Sequence, residues 1–217
     1  KYNSITRTIT NISSYFKEGI TWTVISSAST SFRRYYKGFM FSNSGQSIVP
    51  DTTDNLDYLT GLLNTKIVQY ILAVLSPTLG FESGYLKKIP IRIDEKYKPI
   101  VERITRINIG ISRMDWDSFE ISWDFSRHPF LSYKTFNNRL ADAYAAWEQF
   151  TNNQFELLKA NEEELNSIFI EIYDLEGELI PEIEDKDITI SKADLSRDVR
   201  SFLSYAVGCM FGRYSLD

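Results

Sequence analysis

Histidine and cysteine each occur once in this chain, and the two scarcities remove much of the chemistry that a 217-residue protein can carry. The one histidine, His128 in Ser-Arg-His-Pro-Phe, excludes metal sites that need two imidazoles. It also leaves a Ser-His-Asp arrangement without a second candidate. No nucleophile stands out as its partner, so His128 reads as structural. The one cysteine, Cys209, cannot form an internal disulfide and sits in an apolar helical stretch. That is the setting of a buried, inert thiol in a reducing, cytoplasmic compartment. Glycine (10) and proline (6) are few and scattered. Neither Gly-x-Gly-x-x-Gly nor Gly-x-x-x-x-Gly-Lys-Ser/Thr occurs, so phosphate-cradling loops are absent. No run of about 18 apolar residues is free of charge, so a membrane span is not expected. The opening Lys1-Tyr2-Asn3-Ser4 lacks a signal-peptide pattern.

What is present is length enough for one or two domains with a real core, and an uneven distribution of charge. The net charge is −5, which by itself argues against a nucleic-acid partner. Residues 1–93, however, hold ten Lys/Arg against five Asp/Glu, whereas residues 94–217 hold fourteen against twenty-four. A net +5 segment followed by a net −10 segment suggests a basic binding surface joined to an acidic module.

The first 93 residues read as short strands followed by a helix. Ile20 to Ser26 is rich in Trp, Val, Ile and Thr and predicts a strand. Gly38 to Ser42 predicts a second, Asn43 to Gln46 a turn, and Ser47 to Val49 the returning strand, stopped by Pro50. Leu56, Leu59, Leu63, Ile67, Tyr70, Ile71, Val74 and Leu75 mark one helical face. Thr53 or Asp54 has the chemistry to cap that helix, and Pro77 ends it. Leu86 to Ile93, with Pro90 inside, predicts an edge strand.

From Asp94 onward the pattern is helical. Ile100, Ile104, Ile107, Ile111 and Met114 form one stripe. Phe136 to Tyr173 is a long tract whose apolar positions follow a 3.5-residue repeat with three polar interruptions, at Thr151, Gln154 and Asn161. Unbroken, it would span roughly 50 Å, the length of a spacer. Asn161 and Glu164 have the spacing of a capping box that would split it. Asp187 to Ile190 suggests a short strand, and Ser191 to Asp194 another capping box before a final amphipathic helix. The chain stops soon after that helix, which suggests a piece of a longer polypeptide. The fold class expected is α+β: a small mixed part over residues 1–93, then a mainly helical region over residues 94–217.

Two clusters have the residue types of a functional site. Glu182, Glu184 and Lys186 superficially match a magnesium nuclease, but they crowd into one loop and read as a solvated acidic turn. The run Phe32-Arg33-Arg34-Tyr35-Tyr36-Lys37 is the better candidate. Arginine can pair with guanine edges, lysine can neutralise phosphate, and tyrosine can stack or bond to phosphate. Asn43 and Gln46 in the following loop have the chemistry to read bases. Lys66, Lys87 and Lys88 are weaker candidates for phosphate contacts.

Leu62-Leu63-Asn64-Thr65-Lys66 followed by Lys88-Ile89-Pro90-Ile91 resembles the Leu-Leu-Asn-Ser-Lys helix and Lys-x-Ile/Leu-Pro-Ile segment of adenine-specific DNA methyltransferases that fuse modification and specificity in one polypeptide. Type I specificity subunits share a version of it. Four further stretches narrow the resemblance. Ser76 to Gly84 is similar to an Asn-Pro-Thr-Leu-Asn-Phe-Gln-Val-Gly segment, and Ser122 to Pro129 to a Ser-Trp-Asp-Phe-x-x-His-Pro segment, of PglX-like methyltransferases of BREX phage-defence systems. Leu157 to Asn166 and Ser201 to Tyr214 complete the ordered series. Ser76, Gly80, Glu82, Ser83 and Tyr85 depart from the family pattern and bear on local loop geometry.

The resemblance implies a target-recognition and helical-spacer fragment of a type IIG-like enzyme. Its partners would be double-stranded DNA, the upstream methyltransferase domain of the same polypeptide and other defence proteins, in a bacterial or archaeal cytoplasm, without a membrane. S-adenosylmethionine would be the cofactor of the parent enzyme. The glycine motif for that cofactor and the catalytic Asn-Pro-Pro-Tyr are absent here. The fragment is therefore expected to be inactive alone, with no catalytic residue and no metal site. The rival readings are a protein-docking module of the same assembly and a type I specificity subunit.

Overall fold

The computed structural model describes residues 11–26, 29–42, 45–76 and 80–214. The chain divides into two compact units, Lys1–Arg106 with Glu164–Pro181 and Ile107–Glu163 with Glu182–Asp217. The change of charge at residue 93 falls inside the first unit, not at its border. The architecture is α+β, a small antiparallel sheet followed by helices.

The first unit begins with three strands, β1 (Gly19–Trp22), β2 (Phe32–Tyr35) and β3 (Ser47–Ile48), in the order β2-β1-β3 with both pairings antiparallel. Ile20 pairs with Arg34 and with Ile48, and Trp22 pairs with Phe32. Ile20, Trp22, Phe32 and Tyr35 are buried, which is why this short sheet holds. Gly19 is required because a β-carbon there would collide with the carbonyl of Ile48. The first predicted strand is present in shortened form. Gly38 to Ser42 is not a strand: Gly38 turns the chain at φ 105°, and the segment joins no ladder. The strand lies earlier, at Phe32–Tyr35. The turn residues Asn43 and Ser44 lie outside the described residues, as does Pro77.

The apolar run after Asp51 makes two helices, α1 (Leu56–Leu63) and α2 (Lys66–Leu75), bent by 66° at Asn64-Thr65. The residue at the cap of α1 is Asn55, without a side-chain cap bond, so neither Thr53 nor Asp54 serves as expected. No single helix among the described residues is long and apolar enough to cross a membrane. The bent pair has the composition, but Tyr58, Leu62, Ile67, Val68 and Leu72 are buried in the unit's core. Helix α3 (Ser83–Leu86) follows, so the predicted strand from Leu86 is also absent. Pro90 to Ile93 is extended without a ladder. Two phenols supply its hydrogen bonds instead. Tyr173 OH donates to Pro90 O (2.6 Å) and accepts from Arg92 N (3.2 Å). Tyr58 OH donates to Arg92 O (3.0 Å).

Helix α4 (Lys98–Asp117) and the 33-residue helix α6 (Leu140–Ile172) contribute to both units. The expected stripe on α4 is only partly buried: Ile104 and Ile111 are inside, Ile107 and Met114 are exposed, and Val101 is buried in their place. In α6 the 3.5-residue repeat does mark the inward face, with Trp147, Thr151, Leu158, Asn161, Leu165 and Ile168 buried. The helix is not split at Asn161, whose Nδ2 donates to Asn108 Oδ1 of α4 (2.8 Å).

The second unit packs Ile111, Phe155, Leu158, Ile188 and Ile190 in one cluster. Phe130 of α5 (Pro129–Ser132), Ala143 and Trp147 form another. Residues 187–190 form no strand; a 3-10 turn (Asp185–Asp187) precedes Ile188. The last helix, α7 (Leu195–Met210), is capped by Asp194, which accepts from Arg197 N (2.6 Å), not by Ser191.

Candidate nucleic-acid interface

Adjacent residues on β2 take opposite roles. Phe32 is buried in the core, and Tyr35, on the other face of the strand, is buried against Phe41, edge to face at 4.5 Å. The Arg34 side chain is 11% accessible. Its Nη2 lies 3.1 Å from Glu18 and its Nε 3.4 Å from Asp57. Asp57 also pairs with Arg106 at 3.2 Å. Arg34 therefore ties β1, β2 and α1 together. Arg33 is exposed, and its guanidinium donates to Thr23 Oγ1 (3.0 Å). Tyr36 and Lys37 are exposed where the chain leaves the sheet.

The other candidates separate in the same way. Gln46 is committed to framework: its Oε1 accepts from Ser83 N (2.8 Å), its Nε2 donates to Glu82, and its carbonyl accepts from Thr21 (2.8 Å). Asn43 lies outside the described residues. Lys66 donates through Nζ to Ile180 O (3.3 Å), and its backbone N–H donates to Asn166 Oδ1 (3.0 Å). Lys87 and Lys88 are exposed after α3, with the Lys88 ammonium 5.9 Å from the Tyr85 ring.

One cation escaped the sequence reading. Lys17 is exposed, and two backbone bonds bring its segment beside Lys37: Gly38 N donates to Phe16 O (3.1 Å) and Phe16 N donates to Phe39 O (3.2 Å). No local pattern around Lys17 announces this pairing. Among the described residues, Lys17, Arg33, Lys37, Lys87 and Lys88 are in no ion pair. Glu18 is the one acid in the first fifty residues, and Arg34 neutralises it. Lys17 and Lys37 thus stand at one end of the sheet with no carboxylate paired to either among the described residues.

Burial shifts two titratable groups elsewhere in the chain. His128 is buried, and its Nδ1 accepts from Phe130 N (3.2 Å) at the start of α5. Phe130, Phe202 and Tyr205 surround the ring, and burial pushes its pKa down to about 4. Burial pushes the Glu162 carboxyl up to about 7. Lys186 pairs with Glu184 at 2.6 Å on an exposed turn.

No family model matches the chain. Two curated proteins do. An adenine-specific methyltransferase PglX of Lacticaseibacillus casei (strain Zhang) is 40% identical over 205 residues, 93% of this chain and 17% of that protein. The chain corresponds to a segment of a PglX-like protein. An adenine-specific methyltransferase BrxX of Escherichia coli O9:H4 (strain HS) is 30% identical over 220 residues, 94% of this chain and 18% of that protein. The chain therefore spans about a sixth of the length of these relatives. In the PglX-like segment, the Leu-Leu-Asn-Thr-Lys motif is framework. Asn64 Oδ1 accepts from Phe32 N (3.0 Å) while its Nδ2 donates to Phe32 O (2.9 Å) and Thr60 O (2.9 Å). Its amide stands where a further strand would pair with β2, and so holds the basic strand in place.

Proposed function

We propose that this segment is a DNA-contacting part of an adenine-specific DNA methyltransferase of a bacterial phage-defence system. Residues 1–93 carry target recognition, and residues 94–217 form a helical spacer that docks against the rest of the polypeptide. The observation that carries the reading is the set of cations on β1, β2 and their connections, Lys17, Arg33 and Lys37, in no ion pair among the described residues, while the nearby acids Glu18 and Asp57 are held by Arg34. Such groups neutralise phosphates and position a protein on a duplex. The two relatives are named adenine-specific methyltransferases, which supports the methylation half of the reading. S-adenosylmethionine is the methyl donor of the whole enzyme. None of its binding or catalysis is assigned to residues of this chain, which has neither a Gly-x-Gly-x-x-Gly nor an Asn-Pro-Pro-Tyr motif.

Gel-shift titration of the full-length protein tests the reading. Arg33→Ala with Lys37→Ala is expected to weaken binding at least tenfold and leave the thermal midpoint unchanged. Arg34→Ala is expected to lower the midpoint, because it breaks the pairs with Glu18 and Asp57. Unchanged affinity in the first variant would remove β2 from the interface.

A second reading, docking of a protein on the helical unit, is favoured by one feature. Leu203, Val207, Met210 and Phe211 form an exposed apolar face on and just beyond α7. Co-purification with a defence protein that survives high salt and nuclease, and is lost in Leu203→Asp, would support that reading.

A further inference from the structure

Beside the unpaired cations lies an apolar cluster that the core does not use. Phe16 (57% exposed), Phe39 (51%) and Met40 (61%) project from the two segments joined by the backbone bonds of Phe16. Tyr36 (52%) borders them. The backbone is shaped to hold them outward. Phe16 adopts φ 61°, a left-handed conformation uncommon for an aromatic residue, and Gly38 turns at φ 105°. The buried ring of Tyr35 packs edge-on against Phe39, with centroids 6.5 Å apart. Lys17 and Lys37 stand next to the cluster in sequence, with no carboxylate paired to either among the described residues.

We infer that the Phe39-Met40 turn is a wedge that inserts between stacked bases of duplex DNA, with Lys17 and Lys37 binding the flanking phosphates. Apolar side chains flanked by cations suit a surface that is apolar between base steps and anionic along its backbone. Wedges of Phe and Met unstack base steps and kink the duplex. A partner protein complementary to this surface would need acids around an apolar socket; the duplex already presents both features in register. The inference rests on the DNA-contacting reading above, and the test separates the two.

The probe is the duplex that the wild-type full-length protein binds most tightly from a randomised pool. 2-Aminopurine is placed at successive base steps other than any methylated adenine. The expected result is a rise in emission at one step on binding. The rise falls at least fivefold in Phe39→Ala/Met40→Ala, while affinity changes less than tenfold and the salt dependence stays the same. Phe39→Trp restores it, and far-UV circular dichroism of all variants matches wild type. An emission rise undiminished in the double variant, or absent in wild type although DNA is bound, overturns the wedge and leaves the DNA-contacting reading standing. Undiminished emission with a lowered thermal midpoint of the full-length protein assigns the cluster to docking within the polypeptide, and also overturns the wedge. Absence of DNA binding by wild type removes both.

Discussion

Arg33 and Arg34 are neighbours of one chemistry with different work, and strand alternation is the reason. One side chain faces solvent while the next turns toward Glu18 and Asp57. The basic run was legible as a candidate; which of its arginines is available was not, because Asp57 comes from a separate helix. His128 was legible as structural from the lack of any catalytic partner. Its titration was not, since the burial that shifts it comes from packing, with Phe130, Phe202 and Tyr205 against the ring.

The pH behaviour follows from two residues of opposite sign. Folding keeps His128 neutral down to about 4, whereas the unfolded chain protonates it near 6.5. Stability present above pH 6.5 is therefore lost as pH falls toward 4, by on the order of 3 kcal/mol. Glu162 titrates near 7 in the fold against 4.5 unfolded, so its contribution is present below pH 4.5 and lost as pH rises through 7. Partial exposure reduces that to about 2 kcal/mol. The two largely offset each other between pH 4.5 and 6.5. Glu162→Gln is expected to raise stability at pH 8 by about 2 kcal/mol and to change little at pH 4. Thermal melts at the two pH values decide it; equal effects at both would assign the change to packing, not ionisation.

At the scale of elements, the stretch Tyr58 to Ile93 reads as one helix and one strand, and folds as three helices and a phenol-pinned extended segment. The leucine spacing of the helix was correctly legible. The break was not, because it depends on Asn64 binding the backbone of Phe32, thirty-two residues away. Asn64→Ala strands those backbone groups and is expected to cost about 2–3 kcal/mol. Chemical denaturation measures it, and a loss under about 0.5 kcal/mol would remove Asn64 from the framework role. The helices also meet closely: a β-carbon at Gly61 of α1 would collide with Thr105 Oγ1 of α4. Gly61→Ala is expected to destabilise by about 1–3 kcal/mol through overpacking, despite the better helix propensity of alanine. Thermal melts of this variant and of Gly61→Ala with Thr105→Ala check it, and the second change should recover most of the loss. In α6 the 3.5-residue repeat announced the buried face. The capping-box spacing at Asn161 misled, since Asn108 of α4 satisfies that side chain in mid-helix.

For the whole molecule, charge is the quantity that sequence and fold divide differently. The +5 of residues 1–93 becomes +1 in the compact unit, which takes in Asp94, Glu95 and the acids of Glu164–Pro181. On the proposed function, DNA affinity would depend on where single cations stand, not on net charge. If Lys17, Arg33 and Lys37 each neutralise one phosphate, they contribute about −2.7 to the slope of log affinity against log salt. Each alanine variant is expected to reduce the slope by about 0.9, measured by fluorescence anisotropy across salt concentrations. An unchanged slope in all three would take them off the phosphate backbone.

By itself the sequence determined the class of the fold, the helical tracts, the basic aromatic run and the likeness to PglX-like methyltransferases. All of these are carried by residue type and spacing along a local stretch. Tertiary structure alone decided that Arg34 is a strut and Arg33 is not, that Asn64 stands in for a strand, and that Lys17 and Phe16 meet the turn after β2. The physical reason is that each is a pairing between groups distant in the chain. Whether a cation is free or engaged depends on which carboxylate the fold brings to it.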